Sequence, residues 1–317
     1  MSQTELNAVD KVEILTLQDN YIEMTATDNS AVIARATLLK DGEFRASILA
    51  EHGLSAIVKT TLGDKTKTML FDFGFSENGA AQNAANLGVD MTEVEAVALS
   101  HGHLDHIGGM EKLTALIGKR DIPLVVHPSV FKTPRYVKLG EEFKINFPKL
   151  TREMVKKAGL SAVESDKPYP LLDNTVLFLG EIPKQTDFEK GLPLAHCQKD
   201  GKEVWDAMED DTSIVMNLKD KGLVILSGCA HAGIVNTVHC AMAVTGIDKV
   251  HVIMGGFHLS GPFFEPIIDR TTEELKEIHP AFIIPTHCTG RKAIMAMEKQ
   301  MPEQFILNMA GTKLTFA

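Results

Sequence analysis

The amino-acid sequence predicts an α/β (α+β) fold in which two β-sheets pack face to face between outer helices, a four-layer αββα sandwich. Two observations support this prediction. The chain opens with consecutive strand patterns, and strand and helix patterns then alternate twice along the remainder. There is no internal repeat, low-complexity tract or linker. We therefore predict a single domain over residues 1–317, with an insertion at about 128–200.

The first part of the chain has the apolar runs and alternations that are typical of β-strands. The predicted strands are 12–17, 32–38, 54–62 and 67–73. Gly63 and Asp64 predict a hairpin turn between the last two of them, so the sheet begins antiparallel. An alanine-rich helix follows at 80–87, then a buried strand at 94–99 and a helix from about Ile107.

Strands and helices alternate in the rest of the chain. The predicted strands are 124–126, 176–179, 213–218, 222–226, 249–254, 281–284, 305–309 and 314–316. The predicted helices are 233–244, 271–278 and 291–299.

Composition and charge indicate the class of protein. A hydrophobic content of 44% with 23% charged residues is ordinary for a soluble globular protein, and the net charge of −10 argues against a nucleic-acid partner. Four cysteines do not make a disulfide framework in a chain of this size. Residues 1–7 lack a signal-peptide pattern, and no apolar run approaches the roughly 20 residues of a membrane helix. We expect a cytoplasmic protein without a membrane partner.

Three histidines and an aspartate fall within six positions, between a predicted strand and a predicted helix. They are His101, His103, Asp105 and His106. Imidazole and carboxylate together suit zinc, manganese or iron, and ligands this close are favourable only if metal offsets their repulsion and desolvation. In an extended loop His101 and His103 point the same way, whereas Asp105 and His106 point elsewhere. This spacing therefore favours two ions side by side. The alternative is a helix that Asp105 merely caps, with surface histidines around it, and this alternative leaves the three histidines unexplained.

This His-x-His-x-Asp-His string, after an apolar strand and before Gly108-Gly109, resembles the metallo-β-lactamase superfamily. The resemblance extends upstream to Asp72-Phe73-Gly74 and covers most of the chain outside about 128–200. Further stretches at 50–55, 227–236, 255–259 and 285–290 resemble one subgroup. Its members are named dihydropterin-6-ylmethyl-(ribofuranosyl)aminobenzene 5'-phosphate synthases or metal-dependent hydrolases. The resemblance also implies the αββα sandwich.

Two ions held by two residues each need more ligands, and the resemblance indicates which residues supply them. His287 ends a predicted strand in Pro-Thr-His and matches the superfamily's last metal histidine, so it is assigned to the second ion with Asp105 and His106. His231 follows another predicted strand and is also predicted to be a ligand. Cys229 stands where most members have a bridging aspartate. It either binds the second ion as a thiolate or packs as a small apolar residue.

A second departure from the superfamily pattern lies at residues 209–213, where most members have another metal histidine. This chain has none there. Either His231 takes that role on the first ion, or Asp210 or Asp211 does. Two aspartates before a strand are also typical of a capped turn.

Two further histidines are predicted to contact substrate. His258 ends a predicted strand before the last metal histidine, and by resemblance to superfamily phosphodiesterases it contacts phosphate and protonates a leaving group. His52 belongs to a subgroup motif and is predicted to reach the pocket. Asp105 and His258 are the predicted catalytic residues. Asp72 is interpreted as an acceptor that fixes an imidazole tautomer or a loop, and not as a ligand.

The insertion is basic in an otherwise acidic chain. Between 128 and 170 nine basic residues face five acidic ones. One interpretation is a solvated surface segment. The other is a cap whose cations meet an anionic substrate, with Tyr136 and Phe131 either stacking on that substrate or packing the cap to the body.

These observations lead to a metal-dependent hydrolase with a dinuclear site, which acts on a phosphorylated or otherwise anionic small molecule through metal-bound hydroxide. Two divalent ions are the predicted cofactors, with zinc preferred and manganese or iron as alternatives. The subgroup resemblance implies a second hypothesis, a transferase in which an aminobenzene amine displaces diphosphate from a dihydropterin methyl diphosphate. A third is a non-catalytic binding protein on the same fold. The sequence does not identify the substrate or the oligomeric state.

Overall fold

A computed structural model describes residues 3–37, 39–40, 42–44, 46–140 and 143–317, with Lys40 described for its backbone alone. Leu38, the last residue of one predicted strand, lies outside these ranges.

Strands make up most of the regular structure. In chain order they are β1 (Ala8–Val9), β2 (Lys11–Gln18), β3 (Ile33–Ala34), β4 (Leu39–Lys40), β5 (Glu43–Phe44), β6 (Ser55–Leu62), β7 (Lys65–Phe71), β8 (Val94–Ala98), β9 (Ile122–Val126), β10 (Arg135–Lys138), β11 (Lys144–Asn146), β12 (Leu160–Glu164), β13 (Tyr169–Leu171), β14 (Val176–Phe178), β15 (Ala195–Lys199), β16 (Lys202–Trp205), β17 (Ser213–Leu218), β18 (Gly222–Ser227), β19 (Val250–Gly256), β20 (Phe282–Thr286) and β21 (Lys313–Phe316). The α-helices are α1 (Gly79–Asn86), α2 (Leu104–Ile107), α3 (Met110–Ile117), α4 (Arg152–Lys157), α5 (Ile234–Thr245), α6 (Ile268–Glu277) and α7 (Arg291–Gln300).

Two large sheets form the centre of the molecule. The first has the order β12-β9-β8-β7-β6-β2-β21-β3, and the second has the order β13-β14-β17-β18-β19-β20, with β1 beside β17. Strands β7, β8, β9 and β12 are parallel, and so are β18, β19 and β20. Each sheet therefore has several strands whose carboxyl ends lie at one edge.

The two sheets bury their inner faces against each other. Val58 and Phe71 of the first sheet share one apolar cluster with Ile214 and Leu226 of the second. The other face of the second sheet packs on α5, α6 and α7, and the other face of the first packs on α1, α3 and α4. This arrangement is the predicted four-layer αββα sandwich.

The hairpin at Gly63 is confirmed, because β6 and β7 pair antiparallel with Leu62 opposite Lys65. The helix predicted after the histidine motif is divided into α2 and α3 at Gly108-Gly109. A β-carbon on Gly108 would lie 1.6 Å from the carbonyl oxygen of Phe75, so only glycine permits this loop to pack against 73–75.

Two predicted strands are wrong. Of the described residues 32–37, only Ile33–Ala34 pairs in a sheet, and the Arg35 side chain instead donates hydrogen bonds to Asp28 and Thr312. Of 305–309 only Phe305 bridges to Ile283. Both stretches are apolar enough for a strand, but tertiary packing directs their backbone elsewhere.

Residues 128–200 supply strands to three sheets. β12 joins the first large sheet, and β13 and β14 join the second. β10, β11 and β15 form a small sheet together with β16, which follows just after residue 200. Its order is β11-β10-β15-β16, and we call it the cap sheet.

Asn83 in α1 ties the end of β2 to the segment before β6. Its side chain is fully buried, donates to the carbonyl oxygens of Leu17 and Leu49, and accepts from the Leu49 amide. We predict that Asn83→Ala lowers the free energy of unfolding by about 2 to 3 kcal/mol, because three backbone groups lose their partner. Urea unfolding measures this. Gln82→Ala on the exposed face of the same helix is the control, and an equal loss in both variants would contradict the assignment.

Candidate metal centre

The motif histidines lie at the edge where parallel strands of both sheets end. His101 follows β8, Cys229 and His231 follow β18, and His287 directly follows β20. Side chains that are far apart in the sequence therefore converge at one place.

The first group of candidate ligands is His101, His103 and His231. Their ring centroids are 4.5 to 4.9 Å apart, and all three side chains are buried. The Nε2 atoms of His101 and His103, and both ring nitrogens of His231, have no hydrogen-bond partner among the described residues. Buried polar atoms without a partner are costly, so this donor set fits a bound cation.

The second group is Asp105, His106 and His287, and it adjoins the first. His287 Nε2 lies 3.1 Å and His106 Nε2 3.7 Å from Asp105 Oδ2. The rings of His101 and His106 are 4.2 Å apart. The structure therefore brings together all six residues that the sequence predicts as metal ligands, in two neighbouring groups.

The imidazoles of the first group are held in the neutral form that binds metal. Burial, together with neighbouring charged groups, places the pKa of His101 and His231 well below the usual value. Burial and the nearby Arg135 guanidinium lower the pKa of His103 to about 3. At neutral pH these rings offer free lone pairs.

Asp72 orients one histidine in each group. His106 Nδ1–H donates to Asp72 Oδ2 at 2.6 Å, and Ser100 Oγ–H donates to the same oxygen at 2.7 Å. Ser100 Oγ in turn accepts from His101 Nδ1 at 3.0 Å. This chain of hydrogen bonds assigns the tautomer that leaves both Nε2 atoms directed at the centre.

Burial lowers the pKa of His106, but the carboxylates of Asp72 and Asp105 outweigh burial and raise it to about 9.

His287 is positioned by residues that the sequence analysis missed. Asp19 Oδ1 accepts from the His287 amide at 2.8 Å, and Asn20 Nδ2 donates to the His287 carbonyl at 3.0 Å. The His287 backbone has a φ of 47°, a left-handed conformation that these contacts hold in place. A polar Asp-Asn pair directly after the apolar strand β2 is the signal that could have identified them.

His52 and His258 lie beside the two groups. His52 Nε2 is 3.4 Å from Asp105 Oδ2, and its ring is 4.5 Å from that of His287. The His258 ring is 4.3 Å from that of His231, and its Nδ1 is buried without a hydrogen-bond partner among the described residues. Both histidines therefore lie next to candidate ligands, and both are more exposed than the His287 and His231 rings beside them.

The two aspartates before β17 are engaged elsewhere. Asp210 pairs with both terminal nitrogens of the Arg135 guanidinium at 2.7 and 2.8 Å, and it accepts from the Gly102 amide at 3.0 Å. Asp211 accepts from the Ala232 amide at 2.9 Å. Of the alternatives for the first ion, this geometry favours His231.

Most described cations of the basic segment are paired with carboxylates. The ion pairs are Lys132 with Glu209, Arg135 with Asp206 and Asp210, Lys138 and Lys144 with Glu203, Arg152 with Glu164, and Lys157 with Glu111. These contacts hold the cap sheet together, tie it to the segment before β17 and join α4 to β12 and α3. They do not support the interpretation that the cations of this segment face a substrate.

Phe147, which directly follows β11 of the cap sheet, is an aromatic residue that contacts the centre. Its ring is 4.2 Å from that of His103. Tyr136 instead donates to Glu203, and Phe131 lies under the Arg152 guanidinium. Of the two alternatives for Tyr136 and Phe131, packing is the one observed.

A four-layer αββα sandwich that holds clustered histidines and a carboxylate at one strand edge defines a class of metal-binding proteins. A family model described as the metallo-beta-lactamase superfamily matches residues 53–196. This chain belongs to the metallo-β-lactamase superfamily, as the sequence predicts, and members of this superfamily bind divalent metals.

Relatives match nearly the whole chain. It is 29% identical over 319 residues to a Methanocaldococcus jannaschii protein named 7,8-dihydropterin-6-methyl-4-(beta-D-ribofuranosyl)-aminobenzene-5'-phosphate synthase, covering 98% of this chain and 99% of that protein. An uncharacterized protein of the same organism is 30% identical over 268 residues, covering 83% of this chain and 93% of the relative. A solved structure described as a metal-dependent hydrolase of the beta-lactamase superfamily has a TM-score of 0.70 at 21% identity, covering 96% of this chain and 98% of that one. That last likeness confirms the fold alone.

Within the described ranges, no helix combines the length and apolar character needed to cross a membrane.

We predict that Asp210→Ala weakens metal binding about 10- to 100-fold, because the loop between His101 and His103 loses the acceptor of its Gly102 amide. Asp206→Ala is the matched control. It also removes a carboxylate from Arg135 but does not touch Gly102. Competition with a chromophoric chelator measures the affinity. Equal losses in the two variants would show that Asp210 acts only through Arg135.

Proposed function

We propose that this protein is a two-metal enzyme that breaks the bond between an organic group and phosphate or diphosphate in an anionic small molecule. The observation that carries the proposal is the pair of adjoining ligand groups, one of three histidines and one of two histidines and a carboxylate. Two ions side by side suit a substrate that presents more than one anionic oxygen.

The ions, when bound, would supply Lewis-acid activation of a water molecule and of a substrate oxygen. One ion would be held by His101, His103 and His231. The other would be held by Asp105, His106 and His287. We propose zinc as the resident metal, because histidine dominates both groups and zinc accepts imidazole and carboxylate ligands together.

His258 and His52 would act on the substrate itself. His258 lies beside His231 with Nδ1 unpaired, so it can donate a proton to the oxygen of a leaving group. His52 is held by Asn20, whose amide nitrogen lies 3.1 Å from its Nδ1. Its exposed ring edge is placed to hydrogen-bond a phosphate oxygen next to the second group. The predicted catalytic role of Asp105 would then be to hold the second ion.

A second candidate replaces water with an amine as the acceptor. It is favoured by the full-length likeness to the protein named as a dihydropterin-ribofuranosylaminobenzene phosphate synthase. In that reaction the ions would hold the departing diphosphate, and water would have to be kept away. The buried histidines and the Phe147 ring over His103 would restrict water at the centre.

The two candidates differ in what diphosphate release requires. Protein loaded with zinc is incubated with alkyl and aryl phosphate esters, and with a pterin methyl diphosphate, with and without an arylamine. We expect phosphate or diphosphate release in the absence of amine. Release that occurs only with the amine, together with an amine adduct in the mass spectrum, would instead establish the transferase. No release from any substrate by fully loaded protein would contradict both.

We predict that His258→Ala keeps its metal while turnover falls about 100- to 10,000-fold, because a proton donor is lost but no ligand is. Elemental analysis and steady-state kinetics measure the two effects. His287→Ala is the comparison and should lose metal from the second group. Loss of metal from the His258 variant would show that His258 is a ligand.

A further inference from the structure

Three sets of potential ligand atoms in the described chain share a single residue, Cys229. In the first set Cys229 lies with Asp105, His106 and His287. In the second it lies with His101 and His231, and in the third with His258 and Cys288. The ligand atoms within each set lie within 4.8 Å of one another. We infer that the Cys229 sulfur bridges the two metal positions and makes the centre selective for zinc or iron over manganese and magnesium. This inference rests on the proposed two-metal site.

The position of the sulfur is between the two groups. Cys229 Sγ is 3.1 Å from His106 Nε2, a ring nitrogen of the second group. The same sulfur belongs to the set with His101 and His231 of the first group. A donor atom within reach of both groups can bind both ions at once.

The backbone fixes this sulfur in place. A β-carbon on Gly228 would lie 2.1 Å from Ser100 Oγ, so the chain passes directly against the loop that carries His101. Ala230 has a left-handed φ of 52°, and the Ala232 amide is held by Asp211. The Cys229 side chain is only 2% exposed. A ligand with these supports needs little reorganisation when ions bind.

Two other carboxylates near the centre are engaged through both of their oxygens. Asp210 is paired with Arg135, and Asp72 accepts from Ser100 and His106 through both oxygens. Asp211 accepts from the Ala232 amide through Oδ2, and its Oδ1 has no hydrogen-bond partner among the described residues. Among the described carboxylates, Asp105 is the one that lies in a set of candidate ligand atoms. When an ion binds, the thiol proton of Cys229 passes to solvent and the sulfur becomes a second anionic ligand.

Two anionic ligands around two divalent cations leave the centre with a net positive charge. Arg135, Lys138 and Lys144 of the cap sheet are held in ion pairs, so much of the charge that attracts an anionic substrate would come from the metals themselves. A thiolate ligand also favours zinc and iron, whereas manganese and magnesium prefer oxygen ligands.

X-ray absorption at the zinc edge tests the bridge in the intact protein. A bridging sulfur gives each zinc one sulfur neighbour at about 2.3 Å. A sulfur on one ion only would give one sulfur for every two zincs and would overturn the bridge. Two bound zincs without any sulfur neighbour would overturn the inference and leave the two-metal proposal intact. Protein that binds no metal would contradict the proposed function itself.

Variants separate Cys229 from its buried neighbours. In cobalt-loaded protein we expect a sulfur-to-cobalt charge-transfer band that is lost in Cys229→Ser and retained in Cys288→Ser and Cys240→Ala. Cys229→Asp should keep two ions, lack the band and shift the zinc-to-manganese preference at least about 10-fold toward manganese. Circular dichroism establishes that each variant is folded. A band that survives in both Cys229 variants, or that disappears with Cys288 instead, would overturn the inference.

Discussion

The hydrogen bonds to the buried carboxylate of Asp72 are the interactions on which the candidate metal centre depends. Asp72 lies just after β7 and has a left-handed φ of 58°. Its carboxylate accepts two hydrogen bonds from Ser100, in the loop after β8, and one from His106 in α2. Such a carboxylate is stable inside a protein only while its partners stay in place. The loop is therefore held in one conformation, and His101 and His106 turn their free nitrogens toward the same point.

The same principle recurs around the centre with other buried polar groups. Asp19 holds the backbone of His287, Asp210 holds Gly102, and Asp211 holds the turn after Cys229. Each carboxylate accepts from the backbone amide of a candidate ligand or of its neighbour, so each can position that ligand without binding an ion. The centre is thus an arrangement of imidazoles whose geometry is set by a surrounding shell of aspartates.

Local pattern was sufficient for the parts of the fold with strong periodicity. The strands that became β2, β6, β17 and β18, and the helices α5 and α7, were predictable because buried strands and amphipathic helices have distinct apolar spacing. The motif at 101–106 was equally visible, because its ligands are close in the sequence. Family membership and the sandwich fold followed from it.

Contacts between distant residues could not be predicted in this way. The ion pair of Arg135 with Asp210 joins residues 75 positions apart, so a count of cations alone suggested an anion-binding cap. Phe147 has no local pattern that distinguishes it from Phe131. The stretch at 305–309 is apolar like a strand but packs without a continuous partner, which depends on the whole fold.

The candidate ligands are spread along the chain. They extend from His101, after β8 of the first sheet, to His287, after β20 of the second. During synthesis the ribosome would therefore release the His-x-His-x-Asp-His loop long before the final histidine emerges. An ion captured early could be held only by part of its ligand set, and the complete second group would exist only after both sheets have docked. Stable binding of the second ion would then occur only after folding is complete. A chain truncated before β20 would be unable to retain that ion.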